Sequence, residues 1–370
     1  MADAPAFLAR RDLQALIDVL RGRGYRCLGP QVRDGAIVLD ALESVDALPR
    51  GVRDIQAPGR YSLELVDDER LFAWANPAQG LRPLAFRPRE ALWRCVRDGD
   101  GALRFEACEP AAEPVAVIGA RACDIAGLYL QDRHFLRHGH ADPHYEARRR
   151  ALFIVAVHCT HPAESCFCAA TDDGPRAGYG FDLALTELES GYLVEARSRI
   201  GQEVFAELPL REAGEDELAE AEAALEAAAR RQARRLPEPA ALRRLFDRLE
   251  DPRWSAVAAR CLGCGNCTAV CPTCFCFREE AEPLDEGEGH IQHRLWDSCF
   301  DPGHSYIHGL RIRPDIETRY RQWLTHKLAG WQDQFGRPGC VGCGRCLTWC
   351  PVGIDMVAEA QALCGEAEDG

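Results

Sequence analysis

The chain has 370 residues, enough for two to three domains at about 150 residues each, and its 47% hydrophobic and 28% charged side chains exclude intrinsic disorder as the main state. With 44 basic against 58 acidic side chains the net charge is −14, which sets nucleic acid and anionic lipid aside as partners. The longest fully apolar run, residues 151–157, falls far short of the roughly 20 that span a bilayer, and the opening Met-Ala-Asp-Ala-Pro leads into no apolar stretch. No membrane span, no export and a cytoplasmic location are therefore expected.

In chain order, apolar spacing predicts an amphipathic helix over 13–21 and strands over 36–42, 61–66 and 71–75, separated by prolines and glycines. A β-branched run at 115–120 leads into helical spacing from Asp124, and further strands are predicted at 151–157 and 192–196. Strand, helix and strand in that order predict an α/β (α+β) N-terminal domain, its sheet taken as parallel. Residues 216–235 hold no Gly or Pro and run from acidic to basic, a helix matched to its own dipole. Pro237 and Pro239 follow, and the boundary is placed there: an α/β domain over 1–240, then a segment over 241–370 of short helices, tryptophans and cysteines. Lys327 is the only lysine in the chain, a skew in composition to which no mechanism attaches.

Nineteen cysteines, an odd count in a long chain and spaced at three-residue intervals, argue for metal or redox chemistry in a reducing compartment over a disulfide framework. Cys261-Leu-Gly-Cys264-Gly-Asn-Cys267-Thr-Ala-Val-Cys271-Pro272 has the ferredoxin spacing C-x2-C-x2-C-x3-C-P, and Cys340-Val-Gly-Cys343-Gly-Arg-Cys346-Leu-Thr-Trp-Cys350-Pro351 repeats it. Three thiolates on so tight a loop reach three irons of one cubane. In two-cluster ferredoxins the fourth cysteine ligates the other cluster, so one 4Fe-4S cluster takes Cys261, Cys264, Cys267 and Cys350, and the second takes Cys340, Cys343, Cys346 and Cys271. Gly263, Gly265, Gly342 and Gly344 let the backbone approach and aim N–H groups at the sulfurs. Structural zinc is the weaker alternative, because its modules supply ligands as separated pairs. Predicted helices over 315–331 and 355–363 make this a mostly α-helical two-cluster ferredoxin-like domain.

Cys123 follows the strand at 115–120, and Cys159, Cys166 and Cys168 follow the one at 151–157. A parallel sheet brings both groups to its carboxyl edge, where they are candidate ligands of a third iron–sulfur cluster; the alternative is that Cys123 and Cys159 are small core residues. Cys274, Cys276 and Cys299 are candidates for further ligation, with Cys274 also a competitor of Cys271 as the distal ligand. His304 and His308, flanked by Gly303 and Gly309, are expected on a surface loop or beside a site. Cys27, Cys95, Cys108 and Cys364 have no partner at ligand spacing and are read as structural. No dinucleotide fingerprint, P-loop or covalent-haem motif occurs, so any flavin or nicotinamide is expected on a partner subunit.

Arg121-Ala-Cys-Asp124, the Cys159 to Cys168 group, Cys271-Pro-Thr-Cys-Phe-Cys276, Trp296-Asp-Ser-Cys299 and Cys350-Pro-Val-Gly-Ile-Asp355 together resemble the 4Fe-4S subunit shared by anaerobic sulfite reductases and cytoplasmic sulfhydrogenases, the beta subunit of the latter. The similarity extends to Arg53-Asp-Ile-Gln-Ala-Pro-Gly-Arg-Tyr61 and so covers nearly the whole chain. It implies an electron relay between a catalytic subunit, carrying sirohaem or a nickel–iron centre, and a flavin- and NAD(P)-binding subunit, with no catalytic residue in this chain. Two departures lie near the third thiol group: Ala122 stands where proline is expected and His158 where asparagine is expected. Cubanes with four thiolates have no open iron position, which independently suits electron transfer over substrate chemistry. The rival readings are a self-sufficient reductase that binds flavin itself and a zinc scaffold.

Overall fold

The computed structural model describes residues 5–110, 112–136, 139–284 and 289–365. Its centre is an eight-stranded sheet. Four strands, Arg26–Arg33, Val115–Ala120, Leu152–Val157 and Leu183–Glu187, run parallel, as the strand–helix–strand order predicts. Val115–Ala120 is buried along its whole length and Leu152–Val157 nearly so, which is why both read as unbroken apolar runs. Antiparallel strands close the two sides: Ala36–Ala41 on one, then Gly191–Ala196, Ala6–Ala9 and Arg211–Glu212 on the other.

Each face carries helices. The helix Leu13–Gly22 turns Leu13, Leu16, Ile17 and Leu20 into a core with Ile118, Phe153 and Val155. On the opposite face Leu128 and Phe135 of the helix Ala122–Phe135 pack with Val117 and Ile154. The helix predicted over 216–235 spans Glu215–Arg230, and that over 315–331 is a helix Ile316–Thr325, a π-turn His326–Gly330 and a helix Trp331–Phe335. Among the described residues, no helix is long and apolar enough to cross a membrane.

Two expectations are corrected. Residues 71–75 are buried and apolar but form no strand. Side-chain carboxylates do the work of a neighbouring strand: Glu187 accepts from the N–H groups of Leu71 and Phe72, each at 2.8 Å, and Asp54 accepts from Ala75 N–H at 2.9 Å. The segment after residue 240 is also less helical than its spacing indicates. Strands Phe277–Pro283 and Gly289–Trp296 join Arg89–Arg97 and Leu103–Ala107 in a four-stranded sheet. Arg294 anchors it, buried against Glu90 at 2.7 Å and against Asp142, while Arg148 donates to the same Glu90 carboxylate oxygen at 2.8 Å. The partners of Arg294 lie far away in sequence, at Glu90 and Asp142, so nothing within its own strand indicates how it is neutralised.

A second buried ion pair ties the α/β core to the last cysteine motif. Arg345 donates to Asp124 at 2.9 Å and to the Pro77 carbonyl at 2.7 Å, and both charged side chains are buried. Removing one partner strands the other charge without water. Asp124→Asn and Arg345→Met should each destabilise the chain by about 3–5 kcal/mol, read as a lowered thermal midpoint of the anaerobic protein, whereas the double variant should recover part of that loss.

Candidate metal centres

Both ferredoxin loops adopt the same backbone. Gly263 and Gly265 have φ of +64° and +75°, and Gly342 and Gly344 have +62° and +76°, left-handed turns that open into the short helices Asn266–Ala269 and Arg345–Thr348. The turns aim amides at sulfur: Gly263 N–H lies 3.4 Å from Cys261 Sγ, Gly342 N–H 3.4 Å from Cys340 Sγ, and Ile354 N–H 3.3 Å from Cys350 Sγ. Cys350 faces the same cavity as Cys261, Cys264 and Cys267. Cys271 faces a second cavity with Cys340, Cys343 and Cys346. The structure therefore places each distal cysteine with the thiols of the other motif's loop. Cys267, Cys346, Trp323 and Met356 border both cavities, which are next-door neighbours.

Burial dominates the electrostatics of these thiols. It pushes Cys267 and Cys346 well up and Cys340 up to about 12, so a metal-free pocket holds protonated thiols and ligation releases protons. Cys271 goes the other way, held down first by a hydrogen bond from Cys274 and then by the charge of Lys327. Lys327 is buried, with Nζ 3.5 Å from Cys271 Sγ and donating to Thr273 Oγ1 at 2.9 Å. Burial disfavours its charge, yet the sulfurs of Cys271, Cys274 and Cys340 outweigh that and raise its pKa. Lys327 is the buried charge at this cavity that sequence reasoning passed over. Its signal was there, a solitary lysine in a chain whose other bases are all arginine.

Cys123, Cys159, Cys166 and Cys168 are all buried. Cys123 lies in the first turn of the helix after Val115–Ala120, and Cys159 follows the adjacent parallel strand, so both stand at the carboxyl edge. Desolvation raises all four thiols; Cys168 and Cys159 push Cys166 further up, and Cys168 and Cys343 do the same to Cys123. This group also lies directly on the second ferredoxin loop. Phe167 N–H donates to Gly342 O at 2.8 Å, and Asn76 Nδ2 reaches both Cys343 O at 3.0 Å and Cys166 Sγ at 3.7 Å. His158, with Nδ1 2.9 Å from Thr186 Oγ1, is driven down to about 4 chiefly by burial and stays neutral beside the group.

The remaining candidates separate. Cys274 is hydrogen-bonded to Cys271. Cys276 and Cys299 meet His304, and the three donor atoms lie within 4.8 Å of one another, alone among such triads of the described residues. His304 is half-buried against Asp297 and is not a free surface group, whereas His308 is exposed. Cys27, Cys95 and Cys364 are buried, in keeping with structural roles.

An α/β chain with two adjoining cysteine-lined cavities on C-x2-C-x2-C loops marks an iron–sulfur protein, and the 4Fe-4S dicluster domain family matches residues 260–354. The beta subunit of sulfhydrogenase 2 from Pyrococcus furiosus is 33% identical over 280 residues, covering 73% of this chain and 78% of that protein. The chain belongs to the sulfhydrogenase beta-subunit family. No solved structure matches it.

The seam between the loop and the N-terminal thiol group leaves no room for a side chain. A Cβ on Gly342 would come within 2.5 Å of the Phe167 and Cys168 backbone, at a φ that also disfavours one. Gly342→Ala should therefore cost about 2–5 kcal/mol, seen as a fall in thermal midpoint, whereas Gly336→Ala, with open space around it, should show only the smaller cost of its own φ of +72°.

Proposed function

We propose that this chain is a cytoplasmic electron relay carrying one 4Fe-4S cluster on Cys261, Cys264, Cys267 and Cys350, a second on Cys340, Cys343, Cys346 and Cys271, and a third on Cys123, Cys159, Cys166 and Cys168. The observation that carries it is the placement of Cys350 in one cavity with the first-loop thiols and of Cys271 in the adjoining cavity with the second-loop thiols, Cys267 and Cys346 lying between the two. When bound, cubanes with four thiolates supply one-electron transfer and offer substrate no open iron. The chain's own residues supply the rest: amides that donate to sulfur, apolar walls from Trp323 and Met356, and a buried ammonium at Lys327. The third thiol group belongs to the same series because it packs on the second loop with no layer between. In this reading residues 1–240 present the third group and 241–370 the other two.

Electrons pass between a catalytic subunit, of the nickel–iron hydrogenase or sirohaem sulfite reductase kind, and a flavin- and NAD(P)-binding subunit. The family's sulfhydrogenase member favours hydrogenase. The anaerobic full chain should hold about twelve irons with matching acid-labile sulfide, and Cys166→Ser with Cys168→Ser should lose about four; eight irons in the parent chain would remove the third cluster from this reading. In the assembled complex Cys350→Ser should abolish NAD(P)H-linked turnover yet leave the dye-linked activity of the catalytic partner. Unchanged NAD(P)H-linked turnover would refute the relay.

Lys327 yields a separate measurement. A cation beside Cys271 stabilises the more negative, reduced state, so Lys327→Met should lower one cluster's midpoint by roughly 50–100 mV, equivalent to about 1–2 kcal/mol, and Lys327→Arg should restore most of it. Redox titration followed by low-temperature electron paramagnetic resonance reads the shift.

A further inference from the structure

Cys276, Cys299 and His304 are absent from the walls of both ferredoxin-loop cavities. Their donor atoms lie within 4.8 Å of one another. Donors sharing one tetrahedral ion, at ~2.3 Å for sulfur and ~2.0–2.1 Å for nitrogen, stand about 3.5–3.8 Å apart, and thiolates on separate irons of a cubane stand wider. The spacing thus fits a single ion.

The surroundings are built for one. Nδ1 of His304 is hydrogen-bonded to the Asp297 carboxylate, which also accepts from Ser298 N–H at 2.7 Å. A carboxylate holding one ring nitrogen fixes the tautomer and frees Nε2 for a metal. Asp297 N–H in turn donates to Cys276 O at 3.0 Å, so the carboxylate, the histidine and the first thiol form one knuckle. Cys276 immediately precedes the strand Phe277–Pro283, and Cys299 follows Gly289–Trp296. An ion held here would clasp the two strand ends where they leave the cluster domain. Cys299 is 7% exposed and the His304 side chain 22%, which leaves an approach from solvent on the histidine side.

We infer that Cys276, Cys299 and His304 bind one zinc ion, separate from the iron–sulfur clusters, with Asp297 as the positioning residue and a fourth position left for water. Two thiolates and an imidazole are a donor set that zinc accepts with no redox change.

The test uses the full chain purified without oxygen, with metals counted by mass spectrometry and zinc examined by X-ray absorption. One zinc per chain is expected, in a shell of two sulfurs at ~2.3 Å and one nitrogen at ~2.0–2.1 Å. His304→Ala, followed by dialysis against a chelator, should lower zinc occupancy about tenfold and leave iron and sulfide unchanged; Cys299→Ser should do the same. The inference is overturned by a parent chain without zinc, by zinc in an all-sulfur shell, which would place it in a cluster socket, or by iron falling along with zinc in His304→Ala. Should Cys299→Ser fail to accumulate, the parent spectrum and His304→Ala, at a partly exposed side chain, still decide. Because iron is counted separately, a missing zinc leaves the relay reading intact, and a missing cluster leaves the zinc reading intact.

Discussion

A thiol removed from water keeps its proton, and nearly every other feature of this chain answers to that constraint. Burial is the leading cause of the raised thiols at Cys123, Cys166, Cys267 and Cys346. Ligation needs thiolates, so positive charge has to enter with the metal or be built into the protein. The chain builds in part of it. Lys327 sits against Cys271, and Arg345, paired first with Asp124, also feels Cys343 and Cys123. Arg82 donates to the carbonyls of Thr268 and Cys271 and stacks on Trp296 with its guanidinium 3.5 Å from the ring centre. These cations are themselves buried, which is tolerable only because each has an anion, a sulfur or several carbonyls in reach.

The same constraint explains how the sites are joined. A relay needs its centres close, and close centres leave no space for side chains between them. Glycine provides that closeness at the second loop, where the Phe167 and Cys168 backbone occupies the volume a Cβ at Gly342 would take, and Ser165 does the same at Gly344. Between the two loops Cys267 and Cys346 border both cavities. At the first loop, Thr268 Oγ1 and Ser298 Oγ meet at 2.8 Å and bring in the Asp297 to His304 knuckle. The sheet edge, the two loops and the knuckle thus follow one another in direct contact.

Local chemistry was legible in the sequence, and long-range pairing was not. The two ferredoxin motifs fixed their own loop geometry through glycine positions, and the unbroken apolar runs at 115–120 and 151–157 marked buried parallel strands. The convergence of Cys123 with Cys159 at one sheet edge followed once the sheet was taken as parallel. By contrast, residues 71–75 carry strand-like composition but take their hydrogen bonds from Glu187 and Asp54, a substitution invisible to periodicity. The strand Gly289–Trp296 depends on Glu90 and Asp142 to neutralise Arg294, and nothing within the strand announces those partners. Cys274 and Cys276, two positions apart, turn to different neighbours because one points at Cys271 and the other at Cys299.

The two motif cavities are not equivalent, and the difference bears on how a relay could be balanced. The first reaches the surface: Cys264 is exposed, and Leu262 and Val352 on its rim are 63% and 38% exposed. Water there favours the more highly charged reduced state of a cluster and so raises its potential. The second cavity is closed off by Phe167, Val341 and Trp323 and lacks that help. Lys327 stands at that cavity and no lysine stands at the first. Solvent at one loop and a buried ammonium at the other would shift the potentials of clusters bound there in the same direction by different means. With comparable shifts, clusters bound in the two cavities would lie close enough in potential for an electron to move either way, as the relay proposed for this chain requires.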